Sequence, residues 1–249
     1  MSLNYSFSGK RVLITGGAQG IGRQLVQRFH DDGALVFTVD KNPETIEQLQ
    51  KELPKVTAVV VDLTDWDATK KVVESFGVLD HIVNNAGIMI AQSLMEITKE
   101  VASLHFDVNV LACINVVQTA AKGMIEKGSG GSIVNISTLG IRGATVGTAM
   151  YSASKIAMEM LTKNMSVELG PHNIRANCIT PSVVNAPMVH GADPSIAAAV
   201  EKALSRNTVK RPIDPNEIAD LVMFLLSPLS AMITGETVAI DGGFMANLL

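Results

Sequence analysis

The sequence has little cysteine, and its histidines are not clustered. It contains only two cysteines, Cys113 and Cys178, which lie far apart and lack CxxC spacing. Neither a disulfide framework nor a zinc site is indicated. The histidines are equally scattered, at His30, His81, His105, His172 and His190. We therefore expect no metal site.

Charge is also scarce, and it is not concentrated in one sign. Charged residues make up 18% of the 249 residues, and the formal net charge is −4. Without a broad positive field, nucleic acids and anionic membranes have nothing general to bind. Residues 1–7 lack the basic end and apolar stretch of a signal peptide, and no apolar run approaches the roughly 20 residues of a membrane span. We expect a cytoplasmic protein with a small-molecule substrate, no nucleic-acid partner and no membrane partner.

Apolar residues are abundant and follow a regular pattern. They make up 47% of the chain, enough for one hydrophobic core. Short runs rich in Val and Ile alternate with longer segments of helical period, which is typical of parallel strands joined by helices. The candidate strands are residues 11–15, 34–39, 56–61, 81–84, 132–136, 174–179 and 237–240. Their nearly continuous apolarity predicts an α/β fold, a doubly wound parallel sheet of Rossmann type with helices on both faces, in a single domain spanning residues 1–249.

The segment at about residues 181–212 is the least regular part of the chain. It is interrupted by prolines and has weak periodicity. A loop of that length in a compact domain is often a lid or a specificity segment. A surface excursion without function remains the alternative.

A glycine-rich turn follows the first candidate strand. Residues 15–22 read TGGAQGIG and open a helical pattern over residues 23–30. Such glycines permit a tight turn and bring backbone N–H groups and the positive end of a helix to a pyrophosphate. A structural turn alone would look similar, but Asp40 ends the second strand near the interval expected for a ribose-binding acid. The predicted cofactor contacts are Gly16, Gln19, Gly20, Ile21, Gly22 and Asp40.

Two further strand ends carry polar or small residues. Asp62 and Leu63 follow the third strand, and Asn85, Ala86 and Gly87 follow the fourth. Each group alone is ordinary turn chemistry. Ligands on parallel sheets bind at the carboxyl ends of the strands, so the joint placement predicts that all of them line one cofactor crevice.

Tyr151 and Lys155 begin a helix that we expect to run to about Leu169. Because they are four residues apart, they share a helical face. Bringing a tyrosine from its usual pKa of about 10 to neutrality requires roughly 4 kcal/mol in favour of the phenolate. One ammonium at about 4 Å in an effective dielectric of about 20 supplies that order of energy. Tyr151 is therefore a candidate general acid or base beside Lys155, although the spacing also suits an amphipathic tyrosine near a solvated lysine.

These motifs together resemble the short-chain dehydrogenase/reductase superfamily over essentially the whole chain. Residues 15–22 are similar to its TGxxxGxG turn, residues 84–87 to its NNAG, and Asn109 to its helix asparagine. Tyr151 and Lys155 are similar to its YxxxK pair.

The resemblance implies a role for each of these residues. Tyr151 would exchange a proton with the substrate oxygen, Lys155 would bind the nicotinamide ribose and assist Tyr151, and Asn109 would hold a water in a proton relay. The family's substrate-binding serine lies thirteen residues before the tyrosine. That spacing falls here on Thr138, which keeps the hydroxyl but adds a methyl group. Ser137 is the alternative.

A closer resemblance is to the tetrameric carbonyl reductases and dicarbonyl/L-xylulose reductases of this superfamily. It is carried by residues 62–66, 161–163, 168–175, 181–184 and 242–244. It implies reduction of small α-dicarbonyls and ketoses and a homo-tetramer. We expect the interfaces on the apolar segments at residues 108–117 and 156–165, although both segments could merely cover the sheet.

Two departures concern the cofactor. The resemblance implies NADPH dependence with a basic or neutral second-strand end, whereas this chain has Asp40. We therefore expect a preference for NAD(H), with NADP(H) as the alternative if Lys41 binds the phosphate. The superfamily's threonine for the nicotinamide carboxamide is absent from residues 185–188. Near the Pro181 turn, backbone groups of Val183 or Val184 are the expected substitutes.

The leading hypothesis is an NAD(H)-linked oxidoreductase acting on the secondary alcohol or ketone of a small polyol, ketose or dicarbonyl. A 3-oxoacyl carrier-protein reductase is a second hypothesis, which a basic docking patch would favour. A catalytically silent, cofactor-binding regulatory protein is a third, although Asn109, Tyr151 and Lys155 are all present. The sequence does not name the substrate.

Overall fold

A computed structural model describes residues 5–185, 200–202 and 204–247. Within them, seven parallel strands form one sheet in the order β3-β2-β1-β4-β5-β6-β7. The strands are β1 Arg11–Thr15, β2 Leu35–Asp40, β3 Thr57–Val60, β4 His81–Asn84, β5 Gly131–Ile136, β6 Ile174–Pro181 and β7 Thr237–Ile240. The predicted doubly wound parallel sheet is confirmed.

All seven predicted strands are present, and most ends agree within one residue. The largest difference is at β6, which continues two residues beyond the predicted end because Thr180 and Pro181 pair with Ala239 and Ile240 of β7. A proline at the last position of a strand donates no ladder hydrogen bond, so the run of apolar residues gave no sign of the extension.

Helices cover both faces of the sheet. They are α1 Gly20–Asp31, α2 Pro43–Glu52, α3 Trp66–Ser75, α4 Lys99–Phe106, α5 Ala112–Lys127, α6 Ala149–Leu169 and α7 Pro215–Leu226. Helices α1, α2 and α7 pack their apolar faces on one side of the sheet. Helices α3, α5 and α6 pack on the other side. Each side buries a separate apolar cluster, as the two-faced apolar strands predict.

A π-helical segment, Asp107–Leu111, joins α4 to α5. The whole stretch Lys99–Lys127 is long and apolar enough, by length and composition alone, to span a bilayer, contrary to the expectation that no run approaches that length. Of its most apolar part, 44% is buried inside the protein, and a buried core helix passes the same test.

The segment predicted as a lid or specificity loop lies partly outside the described residues. At its described edges, Val184 bridges Ile213, and the Asn185 N–H donates to the Ile213 carbonyl at 3.0 Å. These contacts hold the segment's two ends together beside β6.

His81 is buried at the first position of β4. Its Nδ1 lies 2.7 Å from the hydroxyl of Ser132, the residue opposite it on β5, and that hydroxyl donates to the Leu226 carbonyl. Nε2 has no hydrogen-bond partner within the described part of the chain. Burial lowers the pKa of His81 to about 4, and Asp80 opposes that shift. The fold therefore holds a neutral imidazole.

We predict that this imidazole makes stability fall in mild acid. The unfolded chain protonates His81 near its usual pKa of 6.5, whereas the folded chain does so only near 4. Stability is therefore lost as the pH falls from about 6.5 to about 4, by at most about 3 kcal/mol. Urea unfolding at several pH values should show a flatter profile for His81→Gln than for the native chain. The exposed His172→Gln is the control, and a His81→Gln profile parallel to the native one would contradict the prediction.

Candidate active site

The glycine turn is packed too closely to hold side chains at several positions. Gly16 and Gly20 have φ values of +66° and +57°, which favour glycine. A Cβ on Gly22 would lie 2.1 Å from the Gly16 carbonyl oxygen. A Cβ on Gly17 would lie 2.1 Å from the Thr38 hydroxyl oxygen. Gly17 was not among the predicted contacts, and its position shows that the turn must also fit against β2.

Helix α1 begins inside this turn with its amino end open. Its N-cap residue, Gln19, makes no side-chain cap to any described residue. By contrast, Asn42 caps α2 and Asp214 caps α7. No acidic side chain lies in the first turn of α1, so its free N–H groups and positive dipole suit a phosphate. The predicted contacts Gly20, Ile21 and Gly22 form that first turn, which fits a dinucleotide.

Asp40 lies at the end of β2, directly beside the turn. One carboxylate oxygen accepts from the Ala18 N–H and the other from the Asn42 N–H, both at 3.3 Å. The neighbouring Asp62 accepts from the N–H and hydroxyl of Thr64, which lower the pKa of Asp62, and Lys41 lowers it further.

Asn85 ties the end of β4 to the glycine turn. Its Nδ2 donates to the carbonyls of Thr15 and Gly16, each at 3.0 Å. The Thr15 hydroxyl accepts from the N–H groups of Asn85 and Ala86, each at 3.1 Å. Thr15 is the first residue of the glycine-turn motif but was not predicted as a site residue. Its hydroxyl joins the ends of β1 and β4.

Gly87 lies where a side chain would meet the catalytic candidates. A Cβ there would be 3.1 Å from both Asn109 Oδ1 and Lys155 Nζ. Asn109, in the π-helical segment, accepts from the Ile88 N–H and donates to the Ile88 carbonyl and to Ser154 Oγ. Its side chain therefore braces the segment after β4, with both Nδ2 hydrogens engaged and one lone pair of Oδ1 not used by these contacts.

Lys155 and Tyr151 share the face of α6 that meets the end of β5, as predicted. Lys155 is buried, and its Nζ donates to the Ile136 carbonyl at 2.8 Å. Burial lowers the pKa of Lys155 to about 8. Burial also raises the pKa of Tyr151, and a hydrogen bond with Thr138 opposes that shift. The expectation that the Lys155 ammonium lowers the Tyr151 pKa is wrong for this arrangement, because the ammonium is directed at β5.

The two adjacent hydroxyls after β5 point to different partners. Ser137 is buried and donates to the Lys155 carbonyl at 3.1 Å. Thr138 is half-buried, accepts from the Gly140 N–H at 3.2 Å and is close enough to the Tyr151 phenol to lower its pKa. The structure therefore brings Thr138, and not Ser137, to the phenol.

The remaining predicted contacts lie around the same edge of the sheet. Leu63 packs against the α3, α5 and α6 side of the core, and Pro181 ends β6. The Val183 carbonyl accepts from the Ile213 N–H at 2.9 Å, so it is already engaged. Val184 is buried. In the part of the chain that the structure covers, no group of three or more His, Cys, Asp or Glu side chains could hold a metal ion.

Known proteins are similar to this chain in sequence and in fold over nearly its whole length. The family described as Enoyl-(Acyl carrier protein) reductase matches residues 16–245. The L-xylulose reductase of Bos taurus is 40% identical over 98% of this chain and 100% of that protein. The NADPH carbonyl reductase 2 of Sus scrofa is 38% identical over 98% and 100%. A solved 3-oxoacyl-(acyl-carrier protein) reductase from Brucella melitensis superposes with a TM-score of 0.87 at 31% identity, covering 98% of this chain and 97% of that one.

We predict that Thr138→Val lowers turnover much more than Ser137→Ala. Thr138 contacts the phenol at which the reaction is expected, so its loss should lower kcat on the order of a hundredfold. Ser137→Ala removes one buried hydrogen bond, worth about 1 kcal/mol of stability. Steady-state kinetics and thermal melts of both variants provide the check, and the reverse ranking of kcat would assign the substrate contact to Ser137.

Proposed function

The chain belongs to the short-chain dehydrogenase/reductase family, and from that premise we propose that it interconverts the ketone and secondary alcohol of a small polyol, ketose or dicarbonyl, with NAD(H) as the preferred cofactor. The observation that carries the proposal is the placement of Tyr151 and Lys155 on one face of α6, with Lys155 bonded to the end of β5 and Thr138 directly after that end, on the same edge of the sheet as the glycine turn. The family is one of oxidoreductases that bind a nicotinamide cofactor.

The chain's own groups provide the proton chemistry. The nicotinamide, when bound, supplies or accepts the hydride. Thr138 would orient the substrate oxygen beside Tyr151, whose phenol gives that oxygen a proton in reduction and takes one back in oxidation. Lys155 is placed by Ile136 and Ser137 to meet a ribose hydroxyl near Gly87.

The names of relatives support the substrate class. L-xylulose reductases, a D-erythrulose reductase and a carbonyl reductase are 36% to 40% identical to this chain over at least 96% of it. Two of those enzymes are named for ketoses and the third is named for carbonyl compounds in general. Short hydroxylated ketones are therefore the first substrates to try. A 3-oxoacyl thioester belongs in the same panel, because the solved carrier-protein reductase has the same fold.

We predict that Tyr151→Phe removes nearly all turnover while leaving the fold and NADH binding intact. The substitution deletes only the phenolic hydroxyl, and loss of a general acid or base lowers the rate by about 10²- to 10⁴-fold. NADH oxidation with L-xylulose, erythrulose, diacetyl and a 3-oxoacyl thioester measures it, with fluorescence titration for NADH binding. Tyr5→Phe is the matched control. Turnover equal to the native rate in Tyr151→Phe would remove the phenol from the mechanism, and no turnover of any panel member by the native chain would refute the proposed reaction.

The proposed NAD(H) preference rests on Asp40. A 2′-phosphate would replace the ribose hydroxyl that this carboxylate is placed to accept from, and would bring two negative groups together. At an effective dielectric of about 20 the repulsion is up to about 4 kcal/mol, and half of that after solvent screening is still more than tenfold in affinity. Gly17 admits no basic side chain. The relative from Sus scrofa is named for NADPH, so Asp40 is proposed to set this chain apart.

We predict that the native chain has a kcat/KM more than about tenfold higher with NADH than with NADPH, and that Asp40→Ser largely abolishes the difference. Both cofactors are to be compared with one saturating substrate. Asp67→Ser, an exposed carboxylate on α3, controls for net charge. A native preference for NADPH, or an unchanged ratio in Asp40→Ser, would show that another group selects the cofactor.

We also propose a homo-tetramer. In residues 108–117 and 156–165, the inner faces cover the sheet, while the outer faces leave Leu111, Ile156 and Met160 43%, 51% and 58% exposed. An open groove of about 520 Å³ between α5 and α6 is lined by Ile114, Val117, Leu161 and Met165. This apolar area exceeds what covering the sheet requires, which supports contact with further subunits.

Light scattering at micromolar concentration should give four times the chain mass of 26.4 kDa. Met160→Lys, which places a charge on the exposed face, should shift the mass to dimer or monomer, because burying an unpaired charge in an interface is costly. The exposed Met232→Lys is the control. A monomeric native mass would contradict the proposal.

A further inference from the structure

An ion pair joins the segment after β5 to the helix that carries Tyr151 and Lys155. Arg142 Nη2 lies 3.0 Å from Glu159 Oε2. The Glu159 side chain is only 9% exposed, whereas that of Arg142 is 39% exposed. A carboxylate this deeply buried is costly unless it is paired, and apolar residues often stabilise such a position equally well. Stability alone therefore does not explain the pair.

The pair lies on the same line of contacts as the catalytic candidates. Glu159 follows Lys155 by four residues and Tyr151 by eight, so all three lie along one side of α6. Arg142 is the last residue of the 3₁₀ turn Leu139–Arg142, and Thr138 is the residue that caps the beginning of that turn. Arg142 thus anchors the C-terminal end of a turn that Thr138 caps at its N-terminal end.

Three other contacts fasten the end of β5 to α6, and the ion pair continues the series. Ile136 accepts from Lys155 Nζ, Ser137 donates to the Lys155 carbonyl, and Thr138 lies near enough to the Tyr151 phenol to lower its pKa. The first two fix backbone positions before Thr138. The ion pair fixes the chain after Thr138, so the residue that meets the phenol is held from both directions.

We propose that Arg142 and Glu159 are positioning residues that set the Thr138 hydroxyl against the Tyr151 phenol. The kinetic part of this inference rests on the proposed function; the geometric part does not. Burial raises the pKa of Glu159, and Arg142 opposes that shift. Its second oxygen, Oε1, has no hydrogen-bond partner among the residues that the structure describes. Lys163 also lowers the pKa of Glu159, and Arg142 is the group that hydrogen-bonds the carboxylate and so sets its direction.

The kinetic test uses Glu159→Gln and Arg142→Gln in two backgrounds. In the native background each should lower kcat by about tenfold to about a hundredfold, because small displacements of a positioned group have effects of that size, while the Kd for NADH stays within about twofold. In a Thr138→Ala background each should lower kcat by less than about twofold, since the residue through which the pair acts is gone. Arg28→Gln is the control. It breaks the Arg28–Asp220 ion pair at the C-terminal end of α1, away from the glycine turn, and should leave kcat unchanged.

Thermal melts separate this role from a structural one. Glu159→Gln removes a buried charge, so its Tm should not fall, although its kcat does. Arg142→Gln leaves the carboxylate buried and unpaired, so both its Tm and its kcat should fall. A kcat unchanged in both single variants, or the same fold-loss with and without Thr138, would overturn the assignment.

A spectroscopic readout tests the geometry without any turnover. The chain has only two tyrosines, Tyr5 and Tyr151, so ¹³Cζ-tyrosine labelling gives two NMR signals, which Tyr5→Phe assigns. Thr138→Val and Glu159→Gln should move the Tyr151 signal in the same direction and leave that of Tyr5 in place. If Thr138→Val moves it and Glu159→Gln does not, the pair does not position Thr138. An inactive native chain whose Tyr151 signal responds to both substitutions would refute the proposed function and retain the positioning role.

Discussion

The hydrogen bond from the Lys155 ammonium to the Ile136 carbonyl is the contact on which the site depends. It joins α6 to the end of β5 at a depth where the ammonium is removed from water, and burial lowers the pKa of Lys155 to about 8. An ammonium so placed needs close polar neighbours and room. Gly87 provides the room, since a Cβ there would lie 3.1 Å from Nζ and 3.1 Å from Asn109 Oδ1. The strand end, the helix and the π-helical segment therefore meet around one lysine.

The sequence was sufficient to predict the features that depend on local pattern. The seven strands, the glycine turn and the Tyr151 and Lys155 spacing all follow from apolar runs, glycine placement and helical period. The strand-end residues Asp40 and Asn85 lie at the predicted edge because the carboxyl ends of parallel strands share it.

Features that depend on side-chain direction were not predictable from pattern. The four-residue spacing places Lys155 and Tyr151 on one face, but it does not predict that Nζ turns to Ile136 while Thr138 lies near the phenol. Asn109 makes its hydrogen bonds to Ile88 and Ser154 from within the π-helical segment, which has no simple sequence signal. The Arg142–Glu159 pair joins two residues that are seventeen positions apart in the chain, and no helical or strand periodicity relates charges at that separation.

The proposed cofactor site has positions in the glycine turn where close packing prevents substitution, and positions at the end of β2 where substitution is possible. At Gly17 and Gly22 any side chain would collide with atoms 2.1 Å away, so these positions offer no route to altered specificity. Asp40 and Lys41 lie at the end of a strand, where Asp40 is only partly buried and Lys41 is exposed. Engineering of cofactor choice in this scaffold is therefore directed to the end of β2, and Gly17 and Gly22 of the turn are best left unchanged.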